Sequence, residues 1–196
     1  SPFQVKKSPG NRQQEMMNST QDDKIASKHD TLFRDEMSLV ENREVGQMLP
    51  PLSGSILDIG CGTGLLTEIA KIDPQEYLGI DPSKGMLEQF TNKYPAYKDR
   101  VVCEPFDGKS LDCRNFDNIV ALFGSPSYLS RYAILAISQC KARKFLMFYK
   151  EKYHPVTYEK CDVEFRHFFY SKKVLCSLFG EENVSEYHNY LIVNCV

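Results

Sequence analysis

The chain lacks a strong charge of either sign, a long apolar run and an internal repeat, and each lack removes a class of function. With 24 Lys and Arg against 26 Asp and Glu, the formal net charge is −2. No global basic field therefore draws the protein to a polyanion, and whole-surface nucleic-acid binding is disfavoured. No stretch approaches the roughly 20 apolar residues of a membrane-spanning helix, so no membrane partner is expected, and no signal-peptide pattern opens the sequence. Compact zinc signatures are lacking too. His154, Cys161, Asp162 and His167 are close in sequence, but their spacing matches no short-range metal motif, and no metal is expected. What remains is an ordinary globular composition, 42% hydrophobic and 26% charged over 196 residues, enough for one domain with its own core. Seven scattered cysteines read as reduced, buried small hydrophobes, and a cytoplasmic compartment is the expectation.

Residues 1–22 are polar and aperiodic and read as a mobile arm. Residues 23–196 read as a single domain, with 151–170 as an insert or lid. Between Lys24 and Met48 the apolar positions suit one or two amphipathic helices, with Leu32, Phe33, Met37 and Val40 on one face. Pro50 and Pro51 stop them. Short apolar runs (SILDIG, EYLGIDP, RVVCEPF, FDNIVALFG, KFLMFYK) then alternate with helical stretches. Strands apolar throughout and separated by helices indicate a mostly parallel sheet covered on both faces, the doubly wound, Rossmann-like α/β class. After Lys150 the rhythm changes to an aromatic stretch, a helix closed by Gly180 and a strand-like tail. That tail is expected to return antiparallel into the sheet.

The chemistry concentrates in Ile56-Leu57-Asp58-Ile59-Gly60-Cys61-Gly62-Thr63-Gly64-Leu65. A buried strand runs into a glycine turn that opens a helix, and glycines there let the backbone bend sharply and a ligand approach its amides. Asp58 is an acid on an apolar strand. Burying it requires compensating hydrogen bonds or a cation, such as turn amides or the ammonium of a bound amino acid. A dinucleotide fits poorly. The sixth position of G-x-G-x-x-G falls on Leu65 counted from Gly60 and on Thr67 counted from Gly62, and neither is glycine. Asp81 follows the next strand, 17 residues after Gly64, where an acid accepts from both ribose hydroxyls. The bland alternative is a helix start at Asp81-Pro82-Ser83.

The succession ILDIGCGTG, YLGIDPSKGML and VVCEPFDGKSLDCRNFDNIVALF resembles the class I S-adenosylmethionine (SAM)-dependent methyltransferase family, in its small-molecule branch, across roughly residues 50–150. The resemblance implies SAM as cofactor. Residues matching Asp58, Gly60, Gly62 and Gly64 would shape the methionine and ribose pocket, together with Cys61 and Leu65 of the same turn. Asp81 would hold the ribose diol, with Pro82, Ser83 and Met86 near the adenine. The acid that meets the adenine amino group is either Glu104 or Asp107, with Phe106 between them. Asp107 has the loop context and Glu104 the better distance to Phe116-Asp117. Ala121, Leu122 and Phe123, with Gly124, would pass beside the sulfonium, and Ser125 to Leu129 would form the acceptor side.

Methyl transfer from a sulfonium is an in-line displacement in which proximity and alignment carry much of the acceleration. A general base is required only when the acceptor must lose a proton. Tyr128 and His154 are the candidate catalytic groups; His167 and His188 read as structural. Phe33, Tyr128, Tyr153 and Tyr158 are candidates for an aromatic acceptor pocket, and the arm and the 151–170 insert for lids that exclude water. The loop Phe123-Gly124-Ser125-Pro126-Ser127-Tyr128 departs from the acid-Pro-Pro-aromatic pattern of enzymes that methylate base amino groups in nucleic acid. The expected reaction is methyl transfer to nitrogen or oxygen of a small-molecule acceptor. An RNA or protein acceptor, or an inactive scaffold of the same fold, stands as the alternative.

Overall fold

Three of the strands, β1 (Ile56–Ile59), β2 (Tyr77–Ile80) and β4 (Asn118–Ala121), are only four residues long and buried at every position. Such strands must be covered on both faces, and the rest of the chain is arranged to do so. The structure is a computed structural model, in which residues 36–150 and 168–196 are described. Among these residues the other elements are α1 (Glu36–Met48), α2 (Leu65–Ile69), α3 (Lys84–Lys93) and β3 (Val101–Val102). They are followed by α4 (Arg131–Gln139), β5 (Arg143–Tyr149), α5 (Lys172–Phe179), β6 (Val184–Tyr187) and β7 (Tyr190–Cys195). The sheet order is β3-β2-β1-β4-β5-β7-β6. The first five strands of that order run parallel, and β7 pairs antiparallel with both β5 and β6. The doubly wound sheet and its antiparallel tail are as the sequence implied, except that the tail is a hairpin of two strands.

Register sorts the core. Asp58, Tyr77, Gly79, Val120, Phe145, Met147, Tyr149, Tyr190 and Ile192 stand on one face, where Val45 of α1, Leu66 of α2 and Phe90 of α3 pack with them. Leu57, Ile59, Ile119, Leu146, Phe148 and Val193 stand on the other, under Ile134 and Ile137 of α4 and Leu175 of α5. Helix starts are set by serine caps: Ser83, Ser130 and Ser171 each accept from the backbone amide three residues on, which satisfies an otherwise orphaned donor.

Two expectations are corrected. Val40 does not face inward on α1; it and Leu39 are exposed while Val45 is fully buried, because the core under this helix reaches only its last turns. Cys113 and Cys140 are paired as a disulfide, although all seven cysteines had read as reduced. The turn before β4 and the end of α4 lie side by side at the amino end of the sheet, which brings these two distant residues together.

Lys144 at the start of β5 is buried, and its ammonium donates to the carbonyls of Cys140 (2.6 Å) and Ala142 (2.8 Å) at the end of α4. A cation there complements the helix C-terminus. Lys144→Met keeps the apolar stem and removes both donors. The expected cost is about 1–3 kcal/mol, read as a lower urea midpoint at unchanged slope; an unchanged midpoint would show that the two carbonyls need no such cap.

Candidate active site

At the carboxyl end of β1 the chain turns through three glycines in the left-handed region, Gly60 (φ 72°), Gly62 (φ 51°) and Gly64 (φ 93°). They serve different ends. A Cβ at Gly60 would stand 2.7 Å from Ser125 of the loop after β4, and one at Gly64 would enter the ring of Phe90 at 2.4 Å. A Cβ at Gly62 would meet nothing within 4 Å. Gly60 and Gly64 thus permit close packing of the turn on its neighbours, while Gly62 faces open space where a ligand can reach the backbone. The turn is tied down by the amide of Gly60 donating to the carbonyl of Ile80 (2.8 Å), by the amide of Gly64 donating to Cys61, and by the Thr67 hydroxyl donating to Gly64. Cys61 is buried, and Leu65 is the half-buried first residue of α2.

Asp81 closes the arrangement from β2. One carboxylate oxygen accepts from the amide of Gly62 (2.9 Å) and the other from the amide of Ser83 (2.9 Å). The cap of α3 is Ser83 itself, through the amide of Met86, so Asp81 is not the cap residue. Pro82 is half-buried, and Ser83 and Met86 are buried in the first turn of α3.

Asp58 lies 2% exposed, and accepts from the hydroxyl of Tyr77 at 2.7 Å. Its carboxyl is pushed up to about 7, chiefly by burial, with the Tyr77 hydrogen bond pulling it down and the Asp81 charge raising it. Among the described residues, none of the groups acting on its proton is a cation. With its folded value above its unfolded one, Asp58 contributes stability that is present at acid pH and lost as pH rises through about 7.

The two candidate acids after β3 differ in their surroundings. Asp107 accepts from the amides of Lys109 and Ser110 and from the Ser110 hydroxyl, all within 2.8 Å. Burial opposes its ionisation, but these bonds outweigh it and hold the carboxyl below the usual range. Asp107 thereby closes its own turn. Glu104 is half-buried in the loop leaving β3, and Phe106 packs in the core with Ile80 and Ala133.

Across the sheet, β4 ends in buried Ala121 and Leu122, then Phe123 in the left-handed region (φ 44°) and Gly124 (φ 85°). A Cβ on Gly124 would overlap the ring of Tyr149. The Ser125 hydroxyl donates to the carbonyl of Leu122 (2.7 Å), and the Ser127 hydroxyl accepts from the amide of Tyr149 (2.9 Å). Around this loop the rings of Phe123, Tyr128, Tyr149 and Tyr190 pack in sequence: Tyr128 edge-on to Tyr149 (6.3 Å), Tyr149 stacked on Tyr190 (5.6 Å), Phe123 edge-on to Tyr190 (5.8 Å). Tyr128 therefore stands beside the end of β4. His154, Phe33, Tyr153, Tyr158 and His167 lie outside the described residues. Sequence reasoning missed Tyr77, Tyr149 and Tyr190. Nothing local marks them, since each reads as an ordinary strand residue.

Residues 56–143 match the family profile of the Methyltransferase domain, over the segment that holds the glycine turn, Asp81 and the β4 loop. By that match, residues 56–143 resemble a methyltransferase domain. Solved structures share its fold at low identity. DhpI in complex with SAH superposes with a TM-score of 0.63 at 13% identity, covering 95% of this chain and 98% of that one. Magnesium protoporphyrin IX methyltransferase (ChlM) from Synechocystis PCC 6803, with bound SAM, gives 0.60 at 15%, covering 95% and 98%. Phosphoethanolamine N-methyltransferase 1 of Haemonchus contortus, with phosphoethanolamine and S-adenosylhomocysteine, gives 0.61 at 15%, covering 91% of this chain and 42% of that one. No curated protein matches the chain. Among the described residues, no helix is long and apolar enough to cross a membrane, and no His, Cys, Asp and Glu group is placed to hold a metal ion.

The glycines separate packing from backbone strain. Gly62→Ala places its methyl in open space and is expected to cost only the left-handed backbone, about 1–2 kcal/mol. Gly64→Ala adds a clash with the buried Phe90 ring and should lower the melting temperature clearly further. Equal losses in the two variants would mean that the Phe90 contact is easily relieved.

Proposed function

We propose that this domain binds SAM across the carboxyl ends of β1, β2 and β4 and transfers its methyl group to a nitrogen or oxygen of a small-molecule acceptor. The observation that carries the reading is the pairing of an open, left-handed Gly62 with two buried carboxylates: Asp81, fixed to that glycine's amide, and Asp58, with no cation among the described groups that govern its proton. In this reading Asp58 faces the ammonium of the methionine moiety and Asp81 the ribose hydroxyls. Pro82, Ser83 and Met86 flank the adenine. Glu104 takes the adenine amino group, because Asp107 is committed to its own turn.

Bound SAM supplies a methyl carbon made electrophilic by the sulfonium: the acceptor's lone pair forms the new bond as the carbon–sulfur bond breaks and its electrons pass to sulfur. The protein's part is placement. Ala121, Leu122 and Phe123 line the transfer point, and the left-handed Phe123 and Gly124 turn the chain so that Ser125 to Tyr128 lie on the acceptor side. Tyr128, backed by Tyr149 and Tyr190, orients the acceptor. The aromatic wall suits a small organic molecule, in keeping with the acceptors named for ChlM and phosphoethanolamine N-methyltransferase. The cytoplasmic setting remains part of the proposal.

Calorimetric titration with S-adenosylhomocysteine tests the cofactor. Saturable binding is expected, with none of NADH, and Asp81→Ala should weaken it at least tenfold, about 1.4 kcal/mol. Folded protein that binds no S-adenosylhomocysteine would defeat the reading. A second comparison separates the two adenine-side acids: Glu104→Gln should lower affinity, whereas Asp107→Asn should lower the melting temperature and leave affinity close to wild type. The reverse pattern would transfer the adenine contact to Asp107.

A further inference from the structure

Tyr77 is the first residue of β2, opposite Ile56 of β1, and is fully buried. Its ring does not point away into the core but runs along the strand toward the carboxyl end of the sheet. It can do so because the next residue on that face is Gly79: a Cβ there would stand 2.7 Å from the Tyr77 hydroxyl and 2.8 Å from the Cys61 sulfur. Phe90 and Tyr97 pack edge-on against the ring with centroids 5.9 and 5.1 Å away, so its direction is held from the side. The hydroxyl ends 2.7 Å from Asp58, on the diagonal neighbour of the paired strand. A phenol placed this deliberately in an otherwise apolar layer needs a reason, because a phenylalanine would fill the same space without a polar atom to satisfy.

Resting on the SAM-binding reading, we propose that Tyr77 is a positioning residue for the cofactor's amino-acid end: its hydroxyl donates to Asp58 and orients that carboxylate toward the ligand ammonium. Among the described residues, the groups that face Asp58 are Tyr77 from β2, Cys61 from the glycine turn and Asp81 from the end of β2. Burial drives the Cys61 thiol and the Tyr77 phenol far above their ordinary values, so neither loses its proton near neutrality. The Asp81 charge works against ionisation of Asp58 and the Tyr77 hydroxyl works for it. Tyr77 is thus the group in this set that favours the anion, and Gly79 is the vacancy in the side-chain layer that lets it act.

The test compares two probes on wild type and Tyr77→Phe between pH 6 and 8.5. S-adenosylhomocysteine carries the amino-acid end; 5′-methylthioadenosine lacks it and reports the adenosine half alone. For wild type, affinity for the first should fall as pH drops through about 7, and affinity for the second should stay level. Hydrogen bonds to charged groups are worth about 1.5–3 kcal/mol, so loss of the hydroxyl should move the Asp58 midpoint up by about one pH unit or more. Tyr77→Phe should then bind S-adenosylhomocysteine close to tenfold more weakly at pH 6.5 and approach wild type at 8.5, with 5′-methylthioadenosine unaffected. Combined with Asp58→Asn, the same substitution should have no further pH-dependent effect. An unshifted midpoint in Tyr77→Phe overturns the proposal, and so does an equal loss for both probes at every pH, which marks a purely structural role. If wild type binds neither probe, the SAM-binding reading itself falls, an outcome distinct from both.

Discussion

Strands of four residues buried on both faces leave the chain no place for polar groups except at their ends. That constraint governs this molecule. The backbone of β1, β2 and β4 is satisfied by parallel pairing, their side chains are committed to two apolar layers, and the register holds their carboxyl ends level. Polar and conformationally special residues therefore collect at the strand ends, and the carboxyl rim holds the glycine turn, Asp81, Phe123 with Gly124, and the serines of the β4 loop. The site is the part of the sheet where the core rules lapse, a general property of open α/β sheets.

Asp58 is the exception that lies inside the layer rather than on the rim. Its cost is contained by one hydrogen bond from Tyr77 and raised by proximity to Asp81. A second carboxylate so near would be a poor choice for stability alone. It is intelligible when a ligand brings a cation, because the same two charges that destabilise the free protein then favour the complex. Asp81 escapes much of this penalty by accepting two backbone amides, which makes it both a brace for the turn and a preset acceptor.

The antiparallel tail does for the loop after β4 what the parallel strands do for the glycine turn. By pairing β7 with β5, the chain sets Tyr190 directly opposite Tyr149, and Tyr149 packs on Gly124. The loop that follows β4 is held between the glycine turn, through Ser125 and Gly60, and this aromatic stack. A residue at the extreme end of the chain thereby shapes the neighbourhood of a loop some sixty positions earlier. Phe123 keeps its left-handed backbone in that setting, with its ring edge-on to Tyr190.

The alternation of apolar strands with helices, the glycine turn, Asp58 and Asp81 were all legible in the sequence. Each depends on short-range chemistry: strand, turn and helix are contiguous, and a left-handed turn requires glycine wherever it occurs. What sequence left open depended on relations between strands. Asp107 and Glu104 are equivalent on paper and differ only because the fold of the loop closes Asp107 on Ser110. Val40 and Val45 suit the same helix, but only Val45 lies over core. The pairing of Cys113 with Cys140, the stack of Tyr149 on Tyr190 and the reach of Tyr77 to Asp58 all follow from register and from which elements meet. A shift of one residue in register turns every side chain to the opposite face. Local sequence therefore determined where the glycine turn and its two acids lie, and tertiary structure alone decided which side chains stand behind them.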